Sequence, residues 1–575
     1  MESVNTDRSP VRLAFLFAAV ALLCANLPHL LGVLWTPDGV TFTGLTHNQD
    51  DAAVYLSWIR QASEGRFFFT NRFTTEPQRG LPVNLFFYLL GTVGRIMHLS
   101  PPAVYAGARM VFGGLLLAAL WRLVSTVLAD KRAQLLAFAF LCFAAGFGFA
   151  LDLRPANYYE QPIDRWQPEA ITFLTIYVTP LFSAALALMA VFAASFFRAE
   201  QTGKSRDLLP ACVAGFLLGN FHSYDILQLW AFAFVYRVLT DVLRKRVETA
   251  RYGRLLIVGL AMLPTAGYQL YAITNEAVFN ARVFATSTLS PSPIWILLGF
   301  GLPFLLAAAA PFAPGAKDKL APDALRYLFV WAVVAIAISY AVGLNGKPVS
   351  FQRKLLMGAH IPVCLLAGAT LAAVTEKLSG SLPVIVSLAA VLITVPSNLR
   401  FMLQDVNRLQ TNTSGSQYRP YLSADETSAL RFLRETAKPG EAVLVCPDMT
   451  AHRYGGSALM PYLGVYIPAY SSASVYAAHW SETADFQRKY NEQLRFFAAD
   501  TPDDSRQSFL AANPAIRYIL YADAVGAGLT NANGELIVSE QTGAPFWRGV
   551  DWAGQPPSYL EAVYESGTVR VLRVR

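Results

Sequence analysis

The sequence predicts a polytopic all-α membrane bundle of about eleven transmembrane helices, followed by a small extracytoplasmic α/β domain. Three observations carry this. The chain has 575 residues, of which 54% are hydrophobic and only 15% charged, which is too apolar for a soluble domain of that length. Its apolar residues collect in long segments joined by short basic loops. Beyond Arg400 the pattern changes to short β-branched and aromatic runs between polar helical stretches. The net charge of +7 is spread over those loops rather than one basic stripe, so it sets topology and gives no reason for a nucleic-acid partner. Cys24, Cys142, Cys212 and Cys364 lie in apolar segments, and Cys446 stands alone in the polar C-terminal region, which therefore forms no internal disulfide.

Arg8 and Arg12 precede the first apolar run, Leu13 to Trp35, which is long enough to span a bilayer and lacks a small-residue cleavage site after it. It reads as a retained signal anchor with a cytoplasmic N-terminus, which sends residues 36–82 outside. In that loop Ala52 to Glu64 carries Tyr55, Leu56, Ile59 and Ala62 at helical spacing, with Ser57, Arg60, Gln61 and Glu64 opposite and Gly65 at the end. The expectation is an amphipathic helix along the membrane surface. Val83 to Met97 is short and broken by Gly91, Gly94 and Arg95, so it reads as interfacial or re-entrant, whereas Val104 to Ala129 and Ala133 to Leu151 read as spans around the cytoplasmic Asp130-Lys131-Arg132. The loop Asp152 to Pro168 then lies outside.

The remaining apolar segments are Ala170 to Phe197, Leu208 to Phe221, Asp225 to Leu243, Leu255 to Ile273, Ile294 to Phe312, Leu325 to Gly343, Leu356 to Val374 and Leu382 to Arg400. This assignment gives the short inside loops about 16 Lys and Arg against about 6 outside. It divides the chain into a multispan domain, 1–400, and an extracytoplasmic domain, 401–575, entered through the polar linker Thr411 to Ser416. In the latter, Val443 to Cys446 and Tyr518 to Tyr521 read as buried strands, Glu482 to Ala499 as a helix, and Ala562 to Val574 as two strands around Gly567.

Chemistry concentrates in the outside loops. Thr46-His47-Asn48-Gln49-Asp50-Asp51 sets two adjacent carboxylates just beyond the first span. Either Asp suits the N-cap of the following helix, but capping needs only one. Residues adjacent on a helix point about 100° apart, so the other is available to take a proton from a hydroxyl acceptor. Glu169, beside Pro168, is a second acidic candidate with its own alternative reading as a first-turn helix residue. Gln352-Arg353-Lys354 and the intramembrane Arg109 are cations suited to phosphate, or to snorkelling. Phe221-His222-Ser223-Tyr224-Asp225 is a polar break that reads as a tight turn or a substrate contact through His222. Oxygen ligands from Asp50 and Glu169 would suit a divalent cation, though no spacing demands one. Ala478-His479-Trp480-Ser481-Glu482-Thr483 reads as helix-capping structure, and Tyr462, Tyr466, Tyr470 and Tyr476 around it as core or as sugar-stacking rings.

Asp50-Asp51, then Tyr55, then Gly65 after an amphipathic helix, in the first outside loop behind one span, resembles the acidic motif of the GT-C glycosyltransferases. In relatives such as the protein O-mannosyltransferases and lipid A aminoarabinose transferases an Asp-Glu pair stands there, and here the second member is Asp. The resemblance implies inverting transfer of a hexosyl or pentosyl group from a polyprenyl-phosphate sugar, at the membrane lipid surface, to an envelope glycan, lipid or protein. It casts Asp50 as the base, Asp51 and Glu169 as further acidic residues of the site, and Arg353 as the donor-phosphate contact. Arg109, His222 and Tyr55 complete the candidate substrate-binding set. The expected setting is a bacterial inner membrane. A multispan transporter and a non-enzymatic envelope scaffold are the competing readings, but the polar residues gather at one face rather than mid-membrane.

Overall fold

The computed structural model describes residues 9–151, 160–285, 287–343, 346–412, 419–449, 459–531 and 535–575. The chain is an integral membrane protein: among the described residues six helices are long and apolar enough to cross a bilayer, or seven if one bent pair counts as a single span. They are Pro10–Leu34, Pro101–Val127, Pro180–Thr202, Tyr224–Arg244, Thr249–Asn275 and Gln352–Glu376. At 1.5 Å per residue, about 20 residues suffice for the hydrocarbon core. The bent pair, Leu382–Leu392 with Pro396–Thr411, turns by 43°. Leu85–Met97, Pro293–Ala309 and Ala324–Ile338 are shorter apolar helices, and Lys131–Phe143 and Leu209–Phe221 have 13 residues each. Of the about eleven transmembrane helices expected, six or seven reach spanning length among the described residues, and the other apolar segments are shorter helices.

The breaks have local causes. Ala170 to Phe197, read as one span, is two helices, Thr172–Val178 and Pro180–Thr202, because Thr179 is extended before Pro180. Pro293–Ala309 breaks at Gly301, whose φ is 56°. A Cβ on Gly301 would lie 2.7 Å from Gly146 Cα, so the two chains cross backbone to backbone there. The segment Gln352–Glu376 is buried from Leu355 to Ala373, while the first helix turns Phe15, Leu23 and Leu34 outward.

Contacts between loops tie the helices together at their ends. Arg244 Nη2 bonds Asp323 Oδ2 at 2.6 Å, Gln201 Nε2 donates to the carbonyl of Pro322 at 2.9 Å, and Lys319 Nζ pairs with Glu376 Oε2 at 2.7 Å, gathering the basic loops. At the opposite end Val40–Phe42 pairs antiparallel with Tyr421–Ser423, which ties the first loop to the C-terminal region. That region holds a five-stranded sheet in the order Ser474–Val475, Ala442–Val445, Ile516–Ala522, Val569–Val574, Leu560–Ser566. Its first three strands are parallel and the last two form an antiparallel hairpin turning at Gly567, φ 49°. The linker 411–416 lies largely outside the described residues.

The amphipathic helix of the first loop runs Gln49–Ser63 and ends as expected at Gly65, whose φ is 87°. It does not lie with one face in water. Ser57 and Gln61 are as buried as Leu56 and Ile59, because Leu85–Met97 covers one side and the C-terminal domain the other. Gly91 permits the first contact, since a Cβ there would sit 2.5 Å from the carbonyl oxygen of Ile59. Leu56, Ile59, Phe69, Phe87, Val443, Val465 and Ile467 share one hydrophobic core, so loop and domain hold each other in place.

Candidate functional site

Asp50 and Asp51 occupy the first turn of the Gln49–Ser63 helix. Neither caps it: Asn48 is the N-cap, with φ 51°, and it spends its side-chain amide on Asp51 Oδ2 at 2.9 Å. Two carboxylates on the first turn are favoured by the helix dipole, and they face the C-terminal domain. Trp480 Nε1 donates to Asp50 Oδ2 at 3.3 Å, and His479 Nε2 lies 3.7 Å from Asp51 Oδ1. His479 is fully buried, and its Nδ1 accepts from the backbone N–H groups of Ser481 and Glu482, both at 3.2 Å. The ring proton of the neutral imidazole therefore belongs on Nε2, facing Asp51. Burial and the neighbouring Asp51 charge raise the Asp50 pKa above its ordinary value. Residues 478–485 form no regular capping box; the helix begins at Phe486, and the preceding turn grips the first loop. Asn71 Nδ2 donates to the carbonyl of Glu482 at 2.8 Å, Thr483 Oγ1 to the carbonyl of Phe73 at 2.8 Å, and Lys489 Nζ pairs with Glu76 Oε1 at 2.6 Å.

A second cluster surrounds Glu169. Arg353 Nε lies 3.2 Å from Glu169 Oε1, and its guanidinium sits 5.1 Å above the Trp166 ring. His222 Nδ1 is 3.0 Å from Asp225 Oδ2, and Lys354 Nζ stands 4.8 Å from the Tyr224 ring. Glu169 and Asp225 are near enough for their charges to interact.

A third cluster lies beside the first-loop residues. Asp405 accepts from Tyr177 Oη at 2.7 Å and from Arg408 Nη1 at 2.6 Å, with His47 Nδ1 3.4 Å away. Asp164 anchors the second loop, its Oδ2 accepting from the N–H groups of Gly146 and Gly148 at 3.1 and 3.0 Å, and burial lifts its pKa to about 6.

No protein-family model matches the chain, and a search of curated proteins finds no relative. Solved structures do match. The oligosaccharyltransferase of Archaeoglobus fulgidus, crystallised with Zn and sulfate, gives a TM-score of 0.52 at 13% identity, over 94% of this chain and 74% of its own. ArnT from Cupriavidus metallidurans gives 0.50 at 11% identity over 97% of both chains. Arabinofuranosyltransferase AftD from Mycobacteria gives 0.54 at 13% identity, over 100% of this chain but only 42% of its own, so this chain spans less than half of AftD. All three are GT-C membrane glycosyltransferases.

The chain has the GT-C fold. At these identities the match fixes architecture, and the site has to be argued from its own residues. Within the GT-C frame the expected residues divide between the clusters. Asp50 and Asp51 stand together, and Glu169 meets Arg353 and neighbours the His222–Asp225 pair. Arg109, expected in the substrate-binding set, is 2% exposed, and its Nη1 and Nη2 donate to the carbonyls of Val178 and Ala25 at 3.1 and 3.2 Å, so it ties three helices together. Tyr55 is partly buried, its ring stacked 5.0 Å from Phe87 at 20°. Asp50 and Glu169 face different partners, and among the described residues no group of three His, Cys, Asp or Glu gathers to hold a metal.

Sequence reasoning missed His479, Trp480, Asp405 and Arg408 as neighbours of the first loop. The Asp405-to-Arg408 spacing marks one face of a helix, but nothing local links it to His47, 358 positions away.

Proposed function

We propose that this protein transfers a sugar from a polyprenyl-phosphate donor to an extracytoplasmic acceptor. The carrying observation is the Asp50–Asp51 pair at the junction of the first loop and the C-terminal domain, in a chain with the GT-C fold. Asp50 accepts the proton of the acceptor hydroxyl as that oxygen bonds to the anomeric carbon. The bond from the anomeric carbon to the phosphate oxygen breaks, and its electron pair leaves with the polyprenyl phosphate. Attack opposite the leaving group inverts the configuration. A raised pKa suits this task, because a base titrating closer to the working pH transfers protons more effectively.

Arg353 is the cation assigned to the departing phosphate, and Glu169 orients its guanidinium through the 3.2 Å contact. His222 lines the same cluster through Asp225. Asp51 and His479 are positioning residues that fix the first turn of the helix against the C-terminal domain. The N-terminus is cytoplasmic, the C-terminal domain and first loop are outside, and the setting is a bacterial inner membrane. Proteoliposomes with labelled polyprenyl-phosphate sugars and nucleotide sugars test the donor class. Transfer from the lipid-linked donor alone is expected. Solute flux without transfer from any donor would overturn the reading in favour of a transporter.

A further inference from the structure

The C-terminal domain carries several aromatic side chains near the candidate site, and the structure separates them. Tyr462, Tyr466 and Tyr476 are 4%, 1% and 1% exposed, and the Tyr470 hydroxyl donates to the carbonyl of Thr43 at 3.0 Å, so these four serve as core. Trp480 is 52% exposed. A single exposed apolar residue needs no explanation by itself. This one has one polar corner at the proposed base.

Its indole N–H reaches Asp50 Oδ2 at 3.3 Å, and its ring lies nearly parallel to that of buried His479, with 14° between planes and centroids 6.4 Å apart. His479 is fixed from below by two backbone N–H groups and by the Phe73 ring, whose centroid is 5.6 Å away. On the other side of Trp480, Glu482 and Thr483 are pinned to Asn71 and Phe73 of the first loop. The chain thus keeps a large apolar plate open to solvent, on a turn whose neighbouring residues are anchored to the first loop. Such a plate, polar at one edge, suits a ligand with an apolar face and hydroxyls around its rim. A sugar ring has that form, with axial C–H bonds on its face and hydroxyls at its edge. The adjacent Asp50 and Asp51 carboxylates disfavour an anionic ligand at the same spot.

We infer that the acceptor is a neutral carbohydrate whose ring stacks on Trp480 and presents a hydroxyl to Asp50. This rests on the glycosyl-transfer reading and narrows it, from any envelope hydroxyl to that of a neutral glycan. The proton leaves the sugar hydroxyl for Asp50, and the new bond joins that oxygen to the anomeric carbon of the donor as the polyprenyl phosphate departs.

The test uses the full-length protein in lipid nanodiscs with a polyprenyl-phosphate sugar donor. It compares three acceptors: a neutral oligosaccharide, the same oligosaccharide bearing a uronic acid, and a Ser/Thr-containing peptide. Transfer to the neutral oligosaccharide is expected to exceed the other two. Trp480→Ala should raise its KM about tenfold while the donor KM stays put, and Trp480→Phe, which keeps a ring, should recover most of that loss. An acceptor KM unmoved by Trp480→Ala, or preference for the peptide, overturns the inference. If Asp50→Asn still abolishes transfer in that case, the glycosyltransferase reading survives it. If the wild type transfers nothing from any donor, both fall together.

Discussion

Removing Arg353 strands Glu169. The carboxylate is 6% exposed, its Oε1 lies 3.2 Å from Arg353 Nε, and the Asp225 charge is close by. At that separation, with an effective dielectric constant of about 20, the gross attraction is about 5 kcal/mol. Arg353 keeps 22% of its side-chain surface, so solvent screens part of this. Breaking a largely buried pair then costs about 3 kcal/mol, and losing the cation–π contact with Trp166 adds about 0.5–1 kcal/mol. In Glu169→Gln/Arg353→Ala no charge is left stranded, and the net loss falls to about 1 kcal/mol. Unfolding entropy of about 2.1 cal/mol/K per residue over 575 residues converts these losses into melting shifts. Arg353→Ala should melt about 3 °C below wild type, and the double variant about 1 °C below it. Thermal scans of the detergent-solubilised single and double variants give the coupling directly. Equal melting of Arg353→Ala and the double variant would refute the pairing, and with it the idea that Glu169 holds the phosphate-facing guanidinium. Both variants should still lose donor affinity, because both lack the guanidinium.

The other predictions concern titration. Because burial and Asp51 raise the Asp50 pKa, the rate should fall as pH drops through a value above the ordinary carboxylate pKa of 3.8, and Asp51→Asn should move that acid limb downward. A pH–rate profile in which both proteins share one limb near 3.8 would exclude Asp50 as the raised base. Asp164, pushed up to about 6 from 3.8, binds more protons folded than unfolded between those values, so its contribution to stability declines as pH rises through that window. Asp164→Asn should remove that decline and keep an acceptor for Gly146 and Gly148, whereas Asp164→Ala should destabilise by about 2 kcal/mol through two orphaned N–H groups. Melting temperatures from pH 4 to 8 check both.

Features that depend on nearby residues were legible in the sequence. The strands at Val443 and Tyr518, the turn at Gly567 and the helix stop at Gly65 each follow from local pattern or from a glycine at positive φ. The break before Pro180 also carried a readable signal, although the apolar run around it reads as one span. Features set by distant contacts were not. The burial of Ser57 and Gln61 depends on a domain that begins more than 300 positions later, so the helix pattern reads as one-sided although both sides are covered. Trp480 and Asp50 are 430 positions apart, and a His-Trp pair before a helix carries no mark of an acidic partner. Arg109 illustrates the same limit. Its cost inside a span is visible in the sequence, but its carbonyl partners on two other helical segments are not.

The central claim is that Asp50 takes the acceptor proton. Its most direct test is the single-turnover rate of sugar transfer from a polyprenyl-phosphate donor in nanodiscs, for wild type and Asp50→Asn, with melting temperature and donor binding measured on the same samples. The asparagine preserves shape, and its carbonyl oxygen can still accept the Trp480 N–H, but it has no basic carboxylate. Asp50→Asn is predicted to bind donor and melt like wild type while its transfer rate falls by about 10²–10⁴-fold. Transfer within a few fold of wild type would contradict the claim and shift the base to Asp51 or Glu169.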